Sequence, residues 1–264
     1  SGGRTVELKD AILRWDFRPG TSLMAGQLAL PLGFELMRSS SDREMPERMT
    51  GNRRIFDGER FRGAYVTHGL GDGFSAWGGV VGSLTVNDPE QRTLNVSRSG
   101  RHAAAAGVRY VGSGVDAGLA FFGGQRPSTT GQPNSPSVDR RFWFFDFTYS
   151  GLVDGLVFRS EAWLGQDRLP SSAAVATGGG QDMSAYSLQL LYNFNAKNQV
   201  FSRYAMFDPN RDTGGNSVRE VGVGYRYFIN PGASLSFVYE WFDDAALGGN
   251  SRYNVATLRY QLKF

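Results

Sequence analysis

The chain contains no cysteine among its 264 residues, which excludes a disulfide framework and any thiolate metal site. It also lacks an apolar run of about 18 residues, so a transmembrane helix is excluded. It begins SGGRTVELKD, with neither an initiator Met nor a basic, apolar, small-residue leader, so any signal peptide is already gone. Charge of one sign is scarce: the formal net charge is only +3 and is scattered along the chain, which gives nucleic-acid binding no support. Histidine is nearly absent, with His68 and His102 alone, and no HExxH, Walker or GxSxG pattern occurs. Helical periodicity is almost missing as well.

What is abundant is period-two alternation, together with 35 glycines and 13% aromatic residues. The closing segment is the clearest case. Val255, Thr257, Arg259, Gln261 and Lys263 alternate with Ala256, Leu258, Tyr260, Leu262 and Phe264. Similar faces recur in Leu235, Phe237, Tyr239 and Trp241, in Val221, Val223, Tyr225, Tyr227 and Ile229, and in Tyr186, Leu188, Leu190, Tyr192 and Phe194. They recur again in Val200, Ser202, Tyr204 and Met206, in Leu156, Phe158, Ala162 and Leu164, and in Trp143, Phe145, Phe147 and Tyr149. Earlier strands, richer in Gly and Ala, are expected near 115–123, 101–111, 74–86, 59–69, 21–31 and 5–17. A soluble sandwich also alternates. The number of segments, their length of about ten residues and the aromatics near their ends favour lipid on one face. The mean hydropathy of −0.33 fits, because only alternate residues of a barrel strand meet lipid.

The connections sort by length. Short ones lie at 18–20, 69–73, 112–114, 151–155, 195–198 and 230–232; long ones at 32–58, 87–100, 124–138, 167–182, 208–217 and 243–251. Short periplasmic turns and long extracellular loops are the outer-membrane arrangement. The expected fold is therefore all-β: one transmembrane, antiparallel, up-and-down β-barrel domain over 1–264, localised to the outer membrane of a Gram-negative bacterium. About thirteen strands are readable, whereas single-chain bacterial barrels normally have an even number. The expectation is a barrel of 14–16 strands whose N-terminal strand or strands are missing here, or one more strand hidden in 87–100.

Within residues 9–49, Asp10-Ala11, Gly26-Gln27, Pro31-Leu32-Gly33-Phe34-Glu35, Ser39-Ser40 and Glu47-Arg48 follow one another in an order that resembles the phosphate-selective porin O/P family. The resemblance implies a sixteen-stranded homotrimeric barrel and a loop, here 33–58, that folds into the lumen and constricts it with basic residues. Arg38, Arg43, Arg48, Arg53 and Arg54 are the candidates, beside Asp42, Glu44 and Glu47. Ser41 stands where phosphate-specific members have a lysine. The terminal run Leu258, Tyr260, Leu262 and Phe264 resembles the signature by which barrel-assembly machinery recognises its clients.

Parity places Arg14, Arg62, Arg109, Arg159, Arg203, Arg226, Arg259 and Lys263 on the lumen face, since charge on the lipid face costs roughly 2–4 kcal/mol at mid-membrane. These cations either form a basic ladder for anions or pair with Asp16, Asp116, Asp146, Glu161, Glu220 and Glu240 on the same face. No catalytic residue, metal or cofactor is expected: His68 and His102 are placed at the rims, with no nucleophile motif beside them. The functional expectation is a porin passing small hydrophilic solutes, with a mild anion preference as its limit. The rival is a scaffold barrel that holds a partner protein.

Overall fold

Alternating β-branched and aromatic residues favour extended backbone because one face of each strand finds an apolar surrounding. In the computed structural model, which describes residues 9–57, 59–83, 85, 102–127, 137–168, 180–245 and 251–262, every alternating segment is a strand. The first two are β1 (Ala11–Arg18) and β2 (Thr21–Leu28), followed by two short helices, α1 (Gly33–Met37) and α2 (Thr50–Ile55). Then come β3 (Phe61–Gly71), β4 (Phe74–Gly82), β5 (His102–Gly112), β6 (Val115–Pro127) and β7 (Ser137–Tyr149). The wall continues with β8 (Leu156–Arg168), β9 (Gly180–Asn195), β10 (Asn198–Asp208), β11 (Val218–Asn230), β12 (Ala233–Asp244) and β13 (Ser251–Leu262). Each strand pairs with the next in one 13-stranded antiparallel sheet. Neither helix is long and apolar enough to cross a membrane. The candidate strand within 87–100, and Lys263 and Phe264, lie outside the described residues.

Side chains directly opposite one another share a face, and by this register Arg62 lies on the outer face of β3 with Val66 and His68, not on the lumen face expected of it; as the second residue of β3, it sits at the rim rather than at mid-membrane, where its charge would be costly. Arg159 pairs with Gln189, Gln189 with Arg203, Arg226 with Ser236 and Ser236 with Arg259. β7 shows the consequence within one tetrapeptide: Phe142 and Phe144 are 0% and 1% exposed, while Trp143 and Phe145 are 55% and 48% exposed. The outer face forms a continuous apolar band that includes Leu164, Leu188, Leu190, Val223, Phe237 and Trp241. Such a band has no stable place in water and matches a bilayer.

The short turns share one rim and are stitched to the strand beyond. The carbonyls of Gly20, Gly73, Gly114 and Gly155 accept from the N–H of Gly69, Val111, Ser150 and Asn193 at 2.8, 2.9, 2.9 and 2.9 Å. Gly155 shows why the position takes glycine: its φ of +81° is in the left-handed region, where an L side chain is strained. At the opposite rim β2 and β3 are joined by the chain that carries α1 and α2, and this segment turns inward to pack on the inner face of the sheet.

Candidate functional site

Leu28, Leu30 and Leu32 are buried as the chain leaves β2, which commits the segment to the interior before α1 begins. Gly33 then adopts φ +69°. A Cβ there would lie 2.7 Å from the carboxyl carbon of Glu161 on β8, so glycine is required both for the backbone and for the approach. That approach lets Glu161 Oε2 accept the Glu35 N–H at 2.8 Å in the first turn of α1. A second wall carboxylate repeats the device: Glu220 Oε1, on β11, accepts the Thr50 N–H at 2.5 Å where α2 starts. Helix starts leave N–H groups without partners, and anionic acceptors suit them.

Asn52 ties the two helices to the wall. Its amide nitrogen donates to Glu35 Oε2 at 3.0 Å and Glu161 Oε1 at 2.8 Å, and its oxygen accepts from Trp163 Nε1 at 2.9 Å. Phe56 follows α2 and enters a nest of Phe122, Phe142, Phe144 and Trp163, with ring centroids 6.2, 5.2, 5.4 and 6.5 Å away. Burying one such ring contributes roughly 1.5–3 kcal/mol. The inner wall is therefore not uniformly polar, as a water-filled lumen led one to expect. Over β6 to β10 its loop-side half is aromatic and covered by the segment.

Arg203 on β10 is the hub of the buried charges. Its guanidinium reaches Glu35 Oε1 at 3.2 Å, the Glu47 carbonyl at 2.8 Å, Glu220 Oε2 at 3.0 Å and Glu240 Oε1 at 3.1 Å. Nearer the rim of short turns, wall arginines hold the segment by its carbonyls. Arg226 donates to the Arg43 carbonyl at 2.5 Å; Arg259 donates to the Arg43 and Glu44 carbonyls at 2.7 and 3.0 Å. Arg159 pairs with Glu44 at 2.7 Å.

Among the other wall cations, Arg109 bridges Asp116 and Asp146 at 2.6 and 3.2 Å, Arg14 pairs with Asp16 at 3.0 Å, and Arg62 donates to Gln27 at 3.3 Å. The arginines of the segment divide. Arg48 is buried, bonds the carbonyls of Glu35 and Arg38 at 2.6 and 2.8 Å and pairs with Glu59. Burial pushes its guanidinium down to about 9, and the neighbouring Arg43 adds to the push; it still carries its charge at neutral pH. Arg43 is buried as well, with Nε and Nη1 unbonded among the described residues. Arg54 pairs with Asp244 at 2.6 Å. Arg38 is half-buried, 3.9 Å from Glu44, and the exposed Arg53 donates to the Thr50 hydroxyl at 3.0 Å; Asp42 and Glu47 are exposed.

His68, on the outer face of β3, shares a 2.7 Å hydrogen bond with Thr21, and His102 is exposed at the start of β5. No cluster of metal-ligating side chains occurs among the described residues. Periodicity did not reveal Asn52, Phe56 and Trp163 as site residues, because two lie in the irregular segment and the third looks like any wall aromatic. Leu258, Tyr260 and Leu262 are exposed on the outer face of β13.

No family model and no curated protein matches the sequence. Solved structures do match in fold. The outer-membrane OmpT of Vibrio cholerae superimposes with a TM-score of 0.64 at 10% identity, covering 92% of this chain and 78% of that one. An anion-selective porin from Comamonas acidovorans gives 0.62 at 12% identity, covering 85% and 64%. A further porin gives 0.57 at 16% identity, covering 97% and 81%. The chain has the fold of Gram-negative outer-membrane β-barrels, and its apolar outer band belongs in that membrane.

Proposed function

We propose that the protein is an outer-membrane porin, passing small hydrophilic solutes by diffusion beside an in-folded constriction formed by residues 33–58. The observation that carries this reading is the polar wall the segment leaves open. Arg109 and Asp116, in the middle of the sheet, keep 21% and 37% of their side chains exposed, next to inward-facing Thr67 and Ser75. No covalent step is needed; passage depends on the free cross-section and on lumen charge. Because most wall arginines are tied to acids or to carbonyls of the segment, the anion preference is weak. The resemblance of residues 9–49 to the phosphate-selective porin O/P family extends the reading to a homotrimer folded by barrel-assembly machinery, with Ser41 in place of the family's lysine arguing against strong phosphate selection.

Reconstituted in a planar bilayer, the protein should give stepwise ohmic conductance and a reversal potential near zero across a KCl gradient. Well-folded protein that never conducts would overturn the channel reading. It would favour the scaffold alternative, for which the filled half of the lumen is the supporting feature.

A further inference from the structure

The outer wall is not smooth. On β9 and β11 the outward residues are large, among them Leu190 and Tyr192 on one side and Val223 and Tyr225 on the other. Between them, β10 presents Val200 and Ser202. Ser202 is paired directly with Leu190 and Val223, so a short hydroxyl side chain lies between two taller apolar ones. The result is a crevice of about 460 Å³ running along β10 with an almost wholly apolar lining. Beyond Ser202 on the same face, Tyr204 packs against Tyr186 with ring centroids 6.0 Å apart.

Below Val200 the Tyr225 hydroxyl bonds the Asn198 side chain, and the turn before β10 lies at the rim of short turns, which is periplasmic in barrels of this arrangement. The crevice's lining on β10 runs from Val200 to Ser202, about 7 to 13 Å from Asn198 along the strand, within the depth of the hydrocarbon core. Water is not available to fill an apolar crevice at that depth, so its occupant is hydrocarbon. The turn below it is held firmly. Asn195 Oδ1 accepts from the Lys197 N–H at 2.9 Å and from Asn198 Nδ2 at 2.8 Å, and the Lys197 carbonyl accepts from Phe228 at 2.8 Å. Lys197 is solvent-exposed there and has no ion pair among the described residues. An apolar crevice within the hydrocarbon core, with an exposed cation at the rim three residues before Val200, has the chemistry of a phospholipid: tail in the crevice, phosphate at the ammonium.

We propose that this crevice binds one phospholipid of the periplasmic leaflet, with an acyl chain along β10 and its headgroup phosphate at Lys197. The site lies on the wall opposite the lumen and does not depend on the channel reading.

The test is native mass spectrometry of the full chain after reconstitution in vesicles of phosphatidylethanolamine and phosphatidylglycerol. Ser202→Trp fills the trough; Ser202→Ala leaves it open; Lys197→Glu reverses the charge at the rim. Heat-modifiable gel mobility checks that each variant has folded. The wild type and Ser202→Ala should retain one phospholipid, and Ser202→Trp should fall to background. Lys197→Glu should reduce retained phosphatidylglycerol at least about five-fold, the effect of one interfacial cation. Retention unaffected by Ser202→Trp would overturn the proposal. So would displacement by inorganic phosphate alone, which would mark an anion site. A change of oligomeric state in Ser202→Trp with no lipid lost would assign the trough to a second copy of the chain.

Discussion

Replacing Arg203 by methionine removes the one cation that touches three buried carboxylates. The Arg203 side chain is 1% exposed, and those of Glu35, Glu220 and Glu240 are 2%, 3% and 4% exposed, so no water replaces what is lost. Breaking a buried ion pair by deleting one partner typically costs about 3–5 kcal/mol, because the remaining charges stay desolvated. The wall retains its hydrogen-bonded ladder in the variant, whereas the segment loses its bonds from Glu35 and the Glu47 carbonyl to β10. The cost therefore falls on docking of the segment, and 3–5 kcal/mol corresponds to roughly 10²- to 5 × 10³-fold in the docked-to-released ratio. Single-channel recording should show large flickering excursions above the wild-type level, and limited proteolysis should cut within 38–54. Arg203→Lys, which keeps a charge without the fork, should fall between the two. A variant with wild-type conductance, quiet traces and full protease resistance would refute the claim that this network holds the segment in place.

Gly33→Ala should destabilise the segment by at least about 1–2 kcal/mol, the cost of a left-handed residue with a Cβ, and the crowding against Glu161 adds to it; proteolysis within 38–54 reads this. Gly214→Ala, where an added methyl meets nothing within 4 Å, should lie within about 0.5 kcal/mol of the wild type and serves as the control. Trp163→Phe keeps the ring contacts but leaves the Asn52 oxygen without its donor, a loss of about 1–3 kcal/mol visible in the thermal unfolding midpoint. Leu188→Arg on the outer face should cost roughly 2–4 kcal/mol in folding into lipid vesicles, whereas Thr148→Arg on the inner face should be tolerated and should shift the reversal potential towards anions.

The wall was legible in the residues because its signal is repetitive. Leu188, Leu190 and Tyr192 against Ser187 and Gln189 already state which way β9 faces, and the bilayer enforces that alternation strand after strand. The docking of the segment was not legible in the periodicity. Residues 33–57 have no period, and what docks them is a set of single contacts from distant strands: Glu161, Glu220, Arg203, Arg226 and Arg259. Parity placed these groups on the inner face, yet it could not distinguish an arginine facing water from one spent on a carbonyl. The inner aromatics misled in the same way. Phe142 and Phe144 alternate like any strand residues, and only the arrival of Phe56 explains why they point into the lumen.

That distinction bears on what the lumen can select. Of the seven described arginines once eligible for a basic ladder, Arg62 lies on the outer face, Arg159 and Arg203 are paired with carboxylates of the segment, and Arg226 and Arg259 bond its carbonyls. Arg109 lies between two aspartates and Arg14 beside one. Of the segment's remaining charges, Arg38 is half-buried 3.9 Å from Glu44, while Arg53, Asp42 and Glu47 are exposed. An ion passing there meets opposed charges close together, and their long-range field is screened within about 8 Å at physiological ionic strength. On the proposed channel reading, selection by sign is weak and selection by size depends on how firmly the segment is held, so the same buried arginines that fail to attract anions would set the width of the pore.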